Sequence, residues 1–522
     1  MAAVGGRLRA RFPALSSLSL SLSALAALGN AEVRQLADGV GAYGATLTSF
    51  SLHNRGSGKY RAPSYHCSSD GIDGLLSELC IAHPATVALR LTHLLSSLPG
   101  LATLDLRGLT DLAGPRAPWC CEYHCGPDLP RGFEEVYHVY SLLGALTGRL
   151  RTLRLACDCR GNGLRLLEAS VDALAPSLRH LSIAAAAPDD EDNDSDMEEG
   201  DLSLDEGETA FLGRLTSLKS LALRGCRYPS LPAWLASLTR LRRLEADGCC
   251  LSLEEDAALL ARLPRLRELS LQEFAPEEEG LGPVAGVTRL TCETNWAERD
   301  TLLAAFPGLL EAELHIFALG PAAAPAPAVP LGEHLRRLTA RIHLPLAGAP
   351  GIGAFRGRVL ENLRQLLLGL PTLRQLHIHA EGSIAGAELP PLLRASPALE
   401  ELTLSGDLSK LDAAAFAGCP AYPTLRALSL DDGGRGGLRA QRPAVPLADL
   451  SSAGLLALGR AFPSLSRLSL GPGVPPERRR AWWEGLRRGL AATGFCSDTS
   501  LLAAVRRVLR REAARLAREA AP

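Results

Sequence analysis

A six-residue leucine pattern, L-x-x-L-x-L, recurs along this 522-residue chain and limits its fold more than any other feature. Clear copies include FPALSSLSL (12–20), LTSLKSLAL (215–223), LPTLRQLHI (370–378) and FPSLSRLSL (462–470), and we count fifteen in all. The weaker copies start at Leu47, Leu150, Leu178, Leu241, Val287, Leu309 and Leu335. Most steps between successive first leucines are 21 to 26 residues, so the chain is an array of short structural repeats.

The spacing within each copy predicts its local structure. The L-x-L alternation indicates a short strand with one buried face, and the leucine three residues earlier closes the same apolar layer. The rest of each unit must return the chain, and the segments before Leu266 and Leu373 have helical periodicity. Because one unit cannot bury its apolar face alone, the units must stack with their strands in a parallel sheet.

This pattern resembles the leucine-rich-repeat superfamily over roughly residues 12–470. The resemblance implies an α/β solenoid, with a curved parallel sheet on the concave face and helices and loops on the convex face. In the family, the position eight residues after the first leucine is often Asn or Cys, which caps the turn. Cys226, Cys249 and Asn295 occupy it here.

The longer helical units are similar to the repeats of fungal and plant F-box/leucine-rich-repeat proteins. In that branch the solenoid selects substrates for a ubiquitin ligase, and an N-terminal F-box binds a Skp-type adaptor. The first repeat begins at Phe12, which leaves no F-box-sized segment before it. A Skp-type adaptor and a cullin are therefore expected partners only if an F-box is supplied elsewhere. The alternative is a sensor or signalling module of immunity or regulation.

We predict two regions, a solenoid over 1–472 and a basic helical C-terminal cap over 473–522. Residues 477–522 carry eleven arginines and five acids, and this amphipathic helix could instead bind a membrane surface or an acidic partner. Residues 189–208 carry twelve acids and no base, which predicts a disordered acidic loop. Insertions are expected near 53–97, 107–140, 187–209, 318–331 and 431–450.

Composition narrows the function classes. The net charge of −2 provides no global field for nucleic acid, and the outward positions considered below form no long positive strip, so we expect no nucleic-acid partner. No run of eighteen apolar residues is present, so no membrane span is expected. Thirteen cysteines, an odd number, indicate a reducing compartment, and we expect a cytoplasmic or nuclear protein.

Several motifs that suggest chemistry have simpler interpretations. Gly39, Gly41 and Gly44 satisfy G-x-G-x-x-G, but a helix precedes them and a strand follows, which is the wrong order for a dinucleotide site. Serine, arginine and leucine in residues 1–31 resemble a targeting peptide, although the repeat at 12–20 explains the leucines better. The set Cys120, Cys121, His124 and Cys125 has partial zinc spacing, and the alternative is reduced cysteines in a loop. We expect no catalysis, no cofactor and no metal.

The positions between the buried leucines must line the outer face of the sheet and are the candidate binding surface. We number each repeat from its first leucine, so these residues stand at positions 5 and 7. A protein partner is the expected ligand, and the alternative is that the insertions bind while the array only supports them. The candidate residues are Arg224, Glu245, Asp247, Gln272, Glu293, Glu313, His315, Arg341, His377 and His379.

Overall fold

The computed structural model describes about half of the chain, with the following bounds. The described residues are 11, 14–21, 25, 28, 30–43, 46–53, 94–95, 97–107, 149–157, 162–185, 202–203, 206–228, 230–251, 254–274, 283–295, 298–317, 334–342, 352–383, 388–407, 421–432, 461–462, 464–465 and 467–470. The zinc-spaced cysteines at 120–125, the acidic residues 189–201 and the predicted cap at 473–522 lie outside them. The chain divides into two compact units, Met1–Gln272 and Glu273–Pro522.

In the first unit the strands pair in parallel and, with one exception, in chain order. Its strands are β1 (Ser17–Ser21), β2 (Ser49–His53), β3 (Thr103–Asp105), β4 (Thr152–Cys157), β5 (His180–Ala185), β6 (Leu202–Ser203), β7 (Ser220–Tyr228) and β8 (Arg243–Leu251). Helices α1 (Asn30–Gly41), α2 (Asn162–Leu174), α3 (Glu206–Thr209) and α4 (Glu254–Ala261) return the chain, with 3-10 helices at Ala210–Arg214 and Ala233–Ser237. The exception is β6, which pairs only with the distal end of β7.

The second unit repeats this arrangement, and its strands β10 to β16 also pair in parallel and in chain order. The division between the units falls inside β9 (Glu268–Phe274). The further strands are β10 (Arg289–Asn295), β11 (Glu311–Phe317), β12 (Arg337–Ile342), β13 (Gln375–Ser383), β14 (Glu401–Asp407), β15 (Ala427–Asp432) and β16 (Arg467–Leu470). The helices are α5 (Arg299–Ala305), α6 (Ile352–Leu368) and α7 (Leu389–Arg394).

Each of the fifteen predicted leucine copies contains a strand, and the leucine positions that define the copy are buried in the thirteen copies that start at residues 47 to 425. In the repeat of β7, for example, Leu215, Leu218, Leu221 and Leu223 are all fully buried. In the first copy Leu15, Leu18 and Leu20 are only partly buried. Burying a leucine side chain is worth about 1.5–3 kcal/mol, so each layer contributes several such increments. Stacked one-layer repeats with a parallel sheet are the architecture of a leucine-rich-repeat solenoid, and this fold class is confirmed.

The prolines of the repeat have a local role. In the segment LPRL (263–266), Leu266 donates its backbone N–H to the carbonyl of Leu263 at 3.0 Å. This hydrogen bond closes a β-turn with Pro264 at its second position. Proline suits that position because its fixed φ matches the turn. The same bond joins Leu373 to Leu370 at 3.2 Å, across Pro371.

The capping position, eight residues after the first leucine, has a different environment in each of three repeats. Cys226 directs its thiol to the carbonyl of Arg224, with 3.6 Å between sulfur and oxygen. Asn295 accepts the backbone N–H of Glu298 at 3.0 Å, which caps the turn as the resemblance implies. Burial raises the pKa of Cys249 to about 12, so this thiol is a protonated core group and not a nucleophile.

In the first unit one local prediction is wrong and another is confirmed. The acidic stretch 189–208 was predicted as one loop, but Leu202–Ser203 pairs with Cys226–Arg227 and α3 follows at Glu206. Glu206 accepts the backbone N–H of Ala233 at 2.7 Å, which holds the end of the stretch against the next repeat. The G-x-G-x-x-G segment has its first two glycines at the end of α1, ahead of β2, as the order of elements predicted.

Candidate interaction surface

The outward columns of the second unit align as the repeat numbering predicted. In β10, β11, β12 and β13 the position-7 residues Glu293, His315, Arg341 and His379 are successive register partners. At position 5 the partners are Thr291, Glu313, Thr339 and His377. The alignment follows because a one-residue slip would turn every buried leucine toward solvent.

Four of the candidate residues form one charge cluster, which we call the charge quartet: Glu293, Glu313, His315 and Arg341. Arg341 donates to Glu313 at 3.0 Å, and both nitrogens of the His315 ring lie 3.7 Å from a carboxylate oxygen, one of Glu293 and one of Glu313. About half of the Arg341 side chain and about a third of each acid side chain are exposed (51%, 38% and 37%). The quartet is therefore ordered by its own contacts and still accessible to a partner.

The two histidines of β13 meet at a single hydroxyl group. Nε2 of His377 and Nδ1 of His379 each lie 2.9 Å from Oγ of Ser405, the position-7 residue of β14. Ser405 is buried, and its one proton serves only one acceptor at a time. Its oxygen also lies 3.5 Å from the carbonyl oxygen of Ile378, an alternative acceptor for that proton, so Oγ can accept a hydrogen bond from one ring or from both.

Below these columns, at position 3, opposite charges alternate over the three strands β10 to β12. Arg289 donates to Glu311 at 2.9 Å, and Arg337 contacts the same carboxylate at 3.4 Å. Arg337 also donates to Gln375 of the next strand at 2.5 Å. Exposed pairs of this kind contribute little stability individually, but they hold several long side chains in one arrangement.

The remaining candidates lie in the first unit and are joined differently. Arg224 donates to Glu245 of the next strand at 2.6 Å, and this hydrogen bond raises the pKa of the guanidinium. Burial and then the Glu245 carboxylate raise the pKa of Asp247, whose closest partner is Ser270 at 3.4 Å. Gln272 lies in β9 and is partly exposed.

The sequence placed Arg224 and Asp247 side by side in one column, but the register between β7 and β8 shifts beyond Leu223. Gly225 has a φ of +64°, the left-handed region that favours glycine, and it produces this irregularity. Arg224 consequently bonds diagonally to Glu245 at position 5. No signal in the leucine pattern marks this bulge, because the buried positions on either side keep their identity.

The sequence analysis did not find an ion cluster around the buried Asp105 of β3. Asp105, at position 5, accepts from Arg107 at 2.7 Å and from Arg154 of β4 at 3.5 Å. Burial opposes its ionisation, but the hydrogen bonds from Arg107 outweigh that effect and lower the pKa of the Asp105 carboxyl. Reading positions 5 and 7 from the first repeat onward, instead of from Leu218, would have found it.

The charges at position 2 show that the sequence analysis overlooked a row of bases. The sequence analysis followed positions 5 and 7 and found no long positive strip. In the first unit five successive repeats carry a base directly after the first leucine, and this row is Arg151, Arg179, Lys219, Arg242 and Arg267. The expectation of no nucleic-acid partner rested partly on the missing strip, and it remains a prediction.

A membrane-spanning helix and a metal site are two further possibilities for the part of the chain that the structure describes. Among these residues no helix is long and apolar enough to cross a membrane. Within the same residues no three His, Cys, Asp or Glu side chains lie close enough together to hold a metal ion.

The comparison with known proteins found matches among solved structures only. No protein-family model and no curated protein matches the chain. Among solved structures, an internalin (InlF) from Listeria monocytogenes shares 12% identity at a TM-score of 0.30, covering 64% of this chain and 82% of that one. The leucine-rich repeat-containing protein LegL7 from Legionella pneumophila shares 15% at 0.30, covering 73% and 88%. The functional domain of InlJ from Listeria monocytogenes, described as including a cysteine ladder, shares 12% at 0.27, covering 66% and 71%. Because these scores are so low, the fold assignment rests on the chain's own strands and buried leucines.

Proposed function

We propose that this chain is a non-catalytic scaffold that binds a partner protein on the outward face of β10 to β14. The observation that carries the proposal is the charge quartet beside the histidine pair. These six side chains offer carboxylate, guanidinium and imidazole groups within four adjacent repeats. Such a mixed polar surface on a rigid sheet suits a protein ligand, which presents donors, acceptors and both charges.

The internal contacts of this face favour binding in a second way. A side chain that is already held by Glu313 or Ser405 loses less conformational freedom when a partner arrives than a free one does. Arginine is enriched among the residues that dominate binding energy, and Arg341 stands near the middle of the patch with its guanidinium half exposed. We expect Arg341 to contribute more than any other single residue.

The finer proposal is that the chain works as a substrate-recognition component related to the F-box/leucine-rich-repeat receptors of ubiquitin ligases, in the cytoplasm or nucleus. It rests on the resemblance of the longer helical repeats, such as the one that contains α6, a helix of 17 residues. A Skp-type adaptor would then join through an F-box supplied by another chain.

Affinity purification with mass spectrometry tests both levels. The double variant Glu293→Lys/Arg341→Glu is compared with Glu361→Lys/Arg364→Glu, which makes the same exchange in an exposed ion pair on α6. We expect the first variant to lose partners that the second retains. Retention of every partner by the first variant would contradict the binding-face proposal.

The identity of the partners tests the finer level separately. Cullin and Skp-type subunits in the wild-type sample would support ligase membership. Their absence, with other partners still lost in the Glu293→Lys/Arg341→Glu variant, would remove the ligase role and leave the binding face standing.

A further inference from the structure

The row of bases at position 2 of the first unit forms a regular structure. Each residue donates its backbone N–H to the carbonyl of the previous member: Arg179 to Arg151 at 2.8 Å, Lys219 to Arg179 at 2.7 Å, Arg242 to Lys219 at 2.8 Å and Arg267 to Arg242 at 2.9 Å. Neighbouring strands of a parallel sheet lie about 4.8 Å apart, so five positive side chains leave the backbone at that interval over roughly 19 Å. We call this set the basic row.

Three acids on the outward face of this unit are paired with bases that do not belong to the row. Asp105 is held by Arg107 and Arg154, and Glu245 is held by Arg224 and Arg243. Glu268 lies 3.6 Å from Arg243. Within the described residues, positions 3, 5 and 7 of this unit carry four arginines and four acids, the fourth acid being Asp247, so these positions provide no excess of negative charge to balance the row.

Three members of the row are exposed and take no part in ion pairs or side-chain hydrogen bonds with the residues that the structure describes: Arg151, Lys219 and Arg242. The other two donate to backbone carbonyls, Arg179 to Ser217 at 3.1 Å and Arg267 to Leu266 at 3.0 Å. A carbonyl is neutral, so this bond leaves the charge of Arg179 in place. The field of the row reaches its neighbours, because burial and then the charge of Lys219 lower the pKa of His180.

We propose that the basic row is a second interaction surface, which binds an extended acidic segment of a partner protein. Guanidinium groups form paired hydrogen bonds with carboxylates, and a row at one charge per strand matches a chain of closely spaced acids. This surface does not depend on the face proposed for β10 to β14.

A protein segment fits the row better than a nucleic acid does. Surfaces that bind single-stranded nucleic acid combine positive charge with aromatic rings on which bases stack. In the described part of this unit Tyr43, Phe50, Phe211 and Tyr228 are buried. Trp234 lies in a 3-10 helix of the returning segment, where its indole N–H donates to Thr209 at 3.1 Å. Among the described residues of this unit no exposed Phe, Tyr or Trp ring is therefore available beside the row.

Fluorescence anisotropy on the full chain tests the proposal. The probe is a labelled 20-residue peptide of alternating Glu and Ser, with a Gln and Ser peptide as the uncharged control. The test variant is Arg151→Gln/Lys219→Gln/Arg242→Gln. The matched control is Arg336→Gln/Arg374→Gln/Arg426→Gln, which removes three charges from the same repeat position of the second unit. Each titration is repeated with the acids of 189–208 changed to their amides, so that this chain's own acidic run does not compete.

The expected result is binding of the acidic peptide alone, weakened roughly tenfold or more by the test variant and less than twofold by the control variant. Affinity should also fall as salt rises from 50 to 200 mM. Equal losses in the two variants, or no binding of the peptide in either background, would overturn the proposal. Tighter binding of a 20-nucleotide single-stranded DNA, lost in the test variant, would overturn the choice of partner. Unchanged thermal melting of both variants shows that the effects do not come from unfolding.

Discussion

Position 2 of the repeat differs between the two units, although the backbone at this position is the same in both. In the first unit it carries five bases in succession, and in the second it reads Thr288, Leu310, Arg336, Arg374, Glu400 and Arg426. Arg374 contacts Glu400 at 3.3 Å, and the exposed Leu310 interrupts the charges. Both series form the same ladder of backbone hydrogen bonds. The fold thus fixes the spacing of the side chains and leaves their charge free, which lets one solenoid carry two surfaces of different character.

The largest expected effect concerns the glycine in each unit that has a positive φ. A methyl group at Gly406 (φ +118°) would overlap the carbonyl of Ala380, whereas at Gly225 (φ +64°) it would lie 3.1 Å from Cβ of Ala185. We expect Gly406→Ala to lower the free energy of unfolding by about 3 kcal/mol and Gly225→Ala by about 1 kcal/mol. Urea unfolding measures both.

Gly357→Ala is the matched control for this pair. Gly357 lies in α6, and a Cβ there would meet nothing within 4 Å. Alanine should stabilise the helix by about 0.5–1 kcal/mol. If all three variants were equally stable, the assigned backbone conformations would be wrong.

The second prediction compares the ion clusters. Asp105 is buried and contacts two half-exposed arginines, while Glu311 lies between Arg289 and Arg337 with about a third of its side chain exposed. We expect Asp105→Asn to cost about 2 kcal/mol and Glu311→Gln about 0.5 kcal/mol in urea unfolding at pH 7. Since the pKa of Asp105 is lowered on folding, its contribution is present above its unfolded pKa of about 3.9 and disappears as the pH falls through the folded value. A loss at Glu311 as large as that at Asp105 would contradict the assigned difference in burial.

The third prediction is a substitution that increases the stability of the protein. The folded state raises the pKa of Asp247, so its ionised carboxylate costs stability above that pKa, and the cost is absent below its unfolded pKa. Asp247→Asn should therefore raise the urea midpoint at pH 7, which corresponds to a gain of about 0.5 kcal/mol in the free energy of unfolding after allowance for its exposure, and should have no effect at pH 3. Ser270→Ala is the control, since it removes the 3.4 Å contact and leaves the charge. A lower midpoint for Asp247→Asn at pH 7 would reverse the interpretation.

The smallest effect tests the comparison of the two units at position 2. Lys219→Gln removes a like charge from the basic row, so we expect stability in low salt to stay level or rise by about 0.3 kcal/mol. Arg374→Gln breaks a contact with Glu400 and should lower stability by about 0.3 kcal/mol. Both differences should shrink in 1 M salt, as differential scanning calorimetry can show. If both substitutions changed the stability in the same direction, the proposed difference between the two units at position 2 would be wrong.

The sequence predicted most of the architecture, because each buried leucine is fixed by a large burial energy and a register of period two. Strand register around Leu314 and Leu338, and hence the order Glu293, His315, Arg341 and His379, followed directly. The bulge at Gly225 did not follow, since it depends on one backbone dihedral angle. The shared hydroxyl of Ser405 did not follow either, because it needs side-chain rotamers of two strands.

Photo-crosslinking gives the most direct test of the binding face. A benzoylphenylalanine is placed at Thr339, which lies between Glu313 and His377 on the outward face, or at the exposed Arg358 of α6. The account predicts a partner crosslinked from position 339 and not from 358, and it predicts that Glu293→Lys/Arg341→Glu abolishes this product. A product formed only from position 358, or one unaffected by the charge reversal, would contradict it.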